Sequence, residues 1–389
     1  MRCFLVLVGI AFFACNSNHK TENPNSVLFV VDDLGRTDLS FYGSELYQTP
    51  NVDRLVENGT KLTNATCTAR YSSRSSLMSG KYPTHGFIEQ LDPALEKIIS
   101  TDAKIEVLAT GFNWSEGPVW LAEEEKIIFS DVPENKIFQW REKDGLSLYM
   151  MPSGYTGKAP KSGGIGSNGL TLDLNGNLIL CQQGDRVISK LVSLKDSISP
   201  KFEQIVTNYN GKKFNSPNDA VFDRNGNMYF TDPSFGLGKE KSDIGFNGVY
   251  FFSKNGNLLL VNKTIDKPNG IAVSNDGTIL YVSDSNSERP SIWAFDIISE
   301  GKVKNKRRLF DATKALHKSI DKQKADGMKL DSKGNIFFAG PGGVLIINPN
   351  GKHLGTIRLD KPTGNCEFAN NGKTLFITCD DYLLRVDLK

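Results

Sequence analysis

One short pattern recurs along the chain and limits its possible folds more than any other feature: two apolar runs separated by a polar, glycine-bearing turn. It is clearest where Ala220-Val221-Phe222 and Met228-Tyr229-Phe230 flank Asp223-Arg224-Asn225-Gly226-Asn227. The same pattern is centred on Gly176, Gly277, Gly334 and Gly372, with a degenerate copy lacking the glycine at Glu124. Asn-Gly or Asp-Gly between apolar runs supplies the positive φ of a hairpin turn. The six turns, at 124, 176, 226, 277, 334 and 372, are separated by 52, 50, 51, 57 and 38 residues. Repeats of about 40–50 residues, each mostly strand, have the spacing of propeller blades with about four strands. A single blade cannot bury both of its faces, whereas six around an axis can. The expected fold is therefore all-β, a six-bladed β-propeller.

Counting eight residues back from each turn lands on Glu116, Asn168, Asn218, Asn269 and Asp326, and counting seven back from Gly372 lands on Asn365. Most of these are followed at once by glycine. If the position opens the innermost strand of every blade, all six side chains meet at one end of the central channel. A ring of carboxylate and carboxamide oxygens suits a calcium-type cation, with no thiolate or imidazole required. Taken singly, Asn and Asp at strand starts are ordinary turn formers. Six in phase, two of them acids, favour the ring.

Composition agrees with a turn-rich β protein: 39% hydrophobic residues, 36 glycines and 16 prolines in 389 residues. A net charge of +2 with scattered Lys and Arg offers no nucleic-acid surface. The amino terminus reads as an export signal, with Met1-Arg2, an apolar run from Phe4 to Phe13, and Ala14-Cys15. Cys15 resembles a bacterial lipoprotein cleavage box. The expectation is a signal over 1–15, a polar tether over 16–26, and a lipid anchor as the chain's only membrane contact. Cys67, Cys181, Cys366 and Cys379 match no zinc spacing and read as buried thiols.

Residues 27–87 do not follow the repeat. Val27–Val31 is a buried-strand pattern ending in Asp32-Asp33, and Thr49-Pro50-Asn51-Val52-Asp53 opens a helix. This small α/β piece resembles the amino-terminal portion of the sulfatases, most specifically in Ser73-Arg74-Ser75-Ser76-Leu77-Met78-Ser79-Gly80-Lys81-Tyr82-Pro83. The resemblance implies a nucleophile four residues before Arg74. Arg70 stands there, Cys67 lies three residues too early, and a guanidinium cannot attack. The segment reads as a catalytically dead fragment, joined by a linker over 88–104 to the propeller at 105–389.

From residue 105 onward the chain resembles the gluconolactonase and senescence-marker-protein family. The resemblance rests on Ser115-Glu116-Gly117-Pro118, Ser167-Asn168-Gly169, Ser216-Pro217-Asn218-Asp219, Pro268-Asn269-Gly270 and Ala325-Asp326-Gly327. It implies one divalent cation, most often calcium, with Zn2+ or Mn2+ as alternatives, held by Glu116, Asn218, Asn269 and Asp326. It also implies hydrolysis of a small sugar lactone; the chain is separately expected to be a monomer. In that reaction Asp326 would be the general base, Asn168 and Asn365 would contact substrate, and Asp219 would orient ligands or substrate. A non-catalytic carbohydrate-binding propeller and hydrolysis of other esters, organophosphates included, are the competing readings. A sulfatase comes last. Gly164-Ile165-Gly166-Ser167-Asn168-Gly169 precedes a strand, so it builds no dinucleotide cradle. Asp173-Leu174-Asn175-Gly176-Asn177 lacks the distal glutamate of a calcium loop. Lys302–Lys324 reads as a solvated basic loop, and Phe235–Phe246 as a loop over the channel entrance.

Overall fold

The computed structural model describes residues 39–40, 44, 48–58, 85–159 and 161–389, in two compact units divided between Pro83 and Thr84. In the first unit, Pro50–Asn58 is a helix, with proline at the first position, where no amide bond is forfeited. The Asp53 carboxylate accepts from Ser40 Oγ at 2.6 Å and from Thr49 Oγ1 at 3.1 Å. The export signal, the tether, Cys67, Arg70 and most of the sulfatase-like segment lie outside the described residues. Among the described residues, no helix is long and apolar enough to cross a membrane.

The second unit is a six-bladed β-propeller of antiparallel sheets. Blades 1 to 4 follow chain order, with innermost strands Ser115–Leu121, Ser167–Leu172, Ala220–Phe222 and Pro268–Val273. Blade 5 opens at Met328–Leu330 and blade 6 at Thr363–Ala369. The outermost strand of blade 6 is Ile105–Thr110, which pairs with Tyr382–Asp387, so the two ends of the propeller close the circle together. The segment read as a linker contributes more than a connection. Gly86–Gln90 adds a fifth, outer strand to blade 5 along His353–Leu359, and Pro93–Lys97 forms a short 3-10 helix.

Six apolar layers lie between the blades. Ile128 and Ile137 of blade 1 pack on Leu170 and Leu180 of blade 2, while Ile127 and Phe129 face Phe376 and Leu383 of blade 6. Second strands are buried on both faces, so they read as continuous apolar runs rather than alternating ones. The basic stretch expected as a loop contains the outermost strand of blade 4, Lys302–Asp311, and then a short helix, Thr313–Lys318. An outer strand is solvated, so charge is tolerated there. Lys306 and Arg308 lie over the Trp293 ring at 4.3 and 4.5 Å, which accounts for part of the basic content.

At Gly176, Gly226 and Gly334 the turns are five-residue loops in which glycine alone takes positive φ, near 80°. The Asp173 carboxylate accepts from the amides of Asn175 and Asn177, both at 2.9 Å, and Asp223 and Asp331 repeat the arrangement. Asp173 is thus saturated by its own turn, which disposes of the calcium-loop resemblance.

Candidate active site

Each inner strand runs from one end of the channel to the hairpin turn at the other, and the second strand returns. The starts of the inner strands and the long connections 151–166, 233–247, 285–290 and 312–325 therefore share one end. Loops held on a rigid scaffold are where ligands are usually met.

The ring position is a repeated distortion of the sheet. Pairing of the inner and second strands slips between Glu116 and Val119, between Ser167 and Leu170, and between Pro268 and Ile271. Such bulges bend the strand and re-aim the side chain. In blades 3 and 5 the ring residue lies just before the strand but keeps its ladder bond, Asn218 N–H to Thr231 O and Asp326 N–H to Ala339 O, both at 2.9 Å.

Direct contacts link successive ring positions from blade 2 to blade 6. The Gly169 amide donates to Asn218 O at 2.7 Å, and Thr231 Oγ1 donates to Asn269 O at 2.6 Å. Ser283 Oγ donates to Asp326 O at 2.7 Å, and the Gly327 amide to Gly364 O at 2.9 Å. A Cβ on Gly117 would lie 2.2 Å from Asn168 O, and one on Gly270 would lie 2.5 Å from Asp326 O. The glycines after the ring residues therefore admit the carbonyl of the next blade.

These contacts also re-phase blade 6. Gly364 receives the bond that Asn218 receives in blade 3, so the ring position of blade 6 is Gly364 and not Asn365. The eight-residue count from Gly372 holds in every blade, and the count of seven broke it. Asn365 is instead the counterpart of Asp219, one residue further along. Their amides donate to Thr378 Oγ1 at 3.1 Å and Thr231 Oγ1 at 3.2 Å, and each side chain accepts from the next amide at 2.9 Å. Both pack on glycine: added methyls on Gly169 and Gly327 would meet Asp219 Oδ1 at 2.7 Å and the Asn365 amide at 2.1 Å.

Glu116, Asn218 and Asn269 are buried, while Asn168 and Asp326 are partly open. Burial, and then the Glu116 charge, push the Asp326 carboxyl far up, and the Asn269 side chain lowers it. Burial likewise raises Glu116, against a 3.1 Å bond from the Gly117 amide. Burial pushes Asp219 up to about 6, with the Lys329 ammonium opposing. Lys329 is the one cation on the six inner strands and pairs with Glu367 at 3.2 Å. Burial opposes its charge, yet Glu367 and Asp219 hold it above the ordinary lysine range.

Counting to the turns missed a second repeated element, although Ser-Asp or Thr-Asp is written at the end of three second strands. The hydroxyls of Ser130, Thr231 and Ser283 reach the ring carbonyl of the next blade. The following aspartate clamps the chain entering its own blade. Asp232 accepts from Asn215 and Ser216 at 2.8 and 2.7 Å, Asp131 from Asn113 and Trp114, and Asp284 from Lys267. Burial pushes Asp232 up to about 7.

These raised carboxyls give a signed expectation. Between an ordinary value near 4 and folded values of about 6 and 7 for Asp219 and Asp232, the folded protein keeps protons that the unfolded chain releases. In chelator, the thermal midpoint should fall as pH rises from about 4 to about 7. Thermal scans in chelator across this window check the statement.

Other structural features bear on access to the ring. Among the described residues, no three His, Cys, Asp or Glu side chains gather as a metal cluster, so any cation in the ring would depend on amide oxygens too. Cys181, Cys366 and Cys379 are buried free thiols, as expected. The entrance loop contains the short 3-10 helix Phe235–Leu237 and is tied down by Glu240, which pairs with Lys161 at 3.1 Å and with Arg186 at 3.3 Å.

Known proteins agree with this architecture. Residues 114–380 match the model of the SMP-30/gluconolactonase/LRE-like region. A gluconolactonase of Zymomonas mobilis is 36% identical over 84% of this chain and 92% of its own length. The solved gluconolactonase of Xanthomonas campestris superposes with a TM-score of 0.67 at 27% identity, covering 78% of this chain and 95% of that one. Residues 24–107 match the sulfatase model. An N-acetylgalactosamine-6-O-sulfatase of Bacteroides thetaiotaomicron is 40% identical over 21% of this chain, but over only 18% of its own length. With a family match spanning most of the chain and a propeller whose ring residues carry that family's motifs, the protein belongs to the SMP-30/gluconolactonase/LRE-like family.

Proposed function

We propose that the protein is a lactonase that opens a sugar lactone by attack of water on the ester carbonyl, with a divalent cation in the ring. The observation that carries the proposal is the convergence of two acids, Glu116 and Asp326, whose charges oppose one another at the loop-bearing end of the channel. Two such groups cannot both ionise at low cost without a cation between them. Glu116, Asn218, Asn269 and Asp326 would hold the ion. Their oxygens are hard donors, which favours calcium over zinc. When bound, the ion supplies polarisation of the ester carbonyl and stabilisation of the negative charge that develops there.

The remaining chemistry belongs to the chain. Asp326 takes a proton from water as the water oxygen bonds to the carbonyl carbon. The bond from that carbon to the ring oxygen then breaks. The departing oxygen takes the proton back from Asp326, leaving the hydroxy acid. Asn168 lies outside the four-ligand set and is placed to hydrogen-bond substrate hydroxyls. Asp219 and Asn365, each fixed to its own strand and packed on a neighbouring glycine, hold the ring in place and reach substrate only at its edge. The two acids against one dication leave the site near neutral, which suits an uncharged sugar lactone.

The leader sequence and Cys15 support export and a lipid anchor, which would put the propeller outside the cytoplasm. The amino-terminal fragment supports no sulfate-ester chemistry, since Arg70 stands at the nucleophile position.

A panel of aldonolactones, assayed with calcium, zinc, manganese and chelator, tests the reading. Hydrolysis of at least one lactone that is lost in chelator and restored best by calcium is expected. Lactone binding without turnover under any metal would instead make this a carbohydrate-binding propeller.

A further inference from the structure

The ring has a gap, and the gap has a specific neighbour. Five blades place a carboxyl or carboxamide at the ring position, and blade 6 places Gly364. Blade 6 stands between blade 5, which bears Asp326, and blade 1, which bears Glu116. The two acids are therefore not on adjacent blades, yet the Glu116 charge acts on Asp326 across the gap. The backbone does not need a glycine here, because Gly364 is absent from the positive-φ glycines. What it requires is space. A Cβ on Gly364 would lie 2.6 Å from Glu116 Oε1, 2.8 Å from its carboxyl carbon and 2.8 Å from Ser115 O. The space a sixth ring side chain would fill is occupied by the Glu116 carboxyl.

We infer that Gly364 is a positioning residue: by leaving the blade 6 position without a side chain, it lets Glu116 reach across to Asp326 and complete the cation site. This rests on the reading of the ring as a cation site. It also explains the one long acid in the ring. Glutamate has an extra methylene to span the missing position, whereas Asp326 and the three asparagines act from their own blades. Ring geometry therefore depends on a pair, a glycine in blade 6 and a glutamate in blade 1, that are distant in sequence and coupled through one occupied volume.

Calcium titration calorimetry on chelator-stripped protein, paired with thermal unfolding in chelator, tests this. Gly364→Ala is expected to weaken calcium binding at least 100-fold and to abolish the calcium-induced rise of the midpoint. Glu116→Asp leaves Gly364 untouched and shortens the reach, and it should weaken binding as fully as Glu116→Ala. In the Gly364→Ala background, Glu116→Asp should cost at least tenfold less than it does in the wild-type background, because the shorter acid no longer meets the added methyl. A glycine needed only for folding would lower the midpoint in chelator, leave the calcium-induced rise intact and give additive effects. That result overturns the inference, as does full calcium affinity in Glu116→Asp. Wild-type protein that takes up no divalent ion overturns the cation reading and this inference together. Wild-type uptake with a tolerant Gly364→Ala overturns this inference alone.

Discussion

Asp326→Asn is expected to lower lactone turnover by about 10³-fold or more, within the range that one general base and its local electrostatics supply. The substitution keeps an oxygen and the approximate shape of the side chain, so the backbone bond to Ala339 O can persist. It removes the group proposed to take the proton from water, and it removes one of the two ring acids. Cation affinity should therefore weaken, and turnover should remain low even at saturating cation. Asp326→Ala loses the donor oxygen as well and should fall at least as far. Steady-state kinetics at saturating calcium, set beside calcium titrations of the same variants, separate the two roles. If Asp326→Asn recovers turnover to within tenfold of wild type once calcium is saturating, Asp326 is a ligand alone and the base lies elsewhere.

The second large effect is expected at Asp232, which is not among the proposed ligands. Its buried carboxyl accepts from the amides of Asn215 and Ser216, two residues before the ring segment Asn218-Asp219. Arg186 reinforces the same segment through Phe214 O and pairs with Asp243 at 3.0 Å. Asp232→Ala strands two amides away from water, at a cost of roughly 2–4 kcal/mol. It also frees the chain that presents Asn218. Urea unfolding in chelator should show the stability loss, and calcium titration should show weaker binding although no ligand has been changed. Asp232→Asn keeps one acceptor oxygen and should recover about half of the stability. A variant as stable as wild type, with unchanged calcium affinity, would mean that the clamp holds nothing in place.

Much of this was legible along the chain because both signals are local. Hairpin turns reveal themselves through the glycine at positive φ, and a side chain eight residues before the turn stays in phase when the strand between has a fixed length. Six blades, the polar residues that open them and the glycines that follow could therefore be counted. The family motifs then separated candidate ligands from their neighbours.

Other features depend on which blades become neighbours in space, and no local count contains that. The exchange of Gly364 for Asn365 at the sixth ring position turned on one amide bond from blade 5. The basic run after Lys302 became a strand because an outer blade edge is solvated and accepts charge. The stretch after Gly86 became a strand because blade 5 offered a free edge. The sequence alone determined how many blades there are and which oxygen-bearing side chains open them, since turn chemistry and strand length are written residue by residue. The closed circle alone decided that the Glu116 carboxyl takes the space left open at Gly364, because blade 6 becomes the neighbour of blade 1 only when the ring closes.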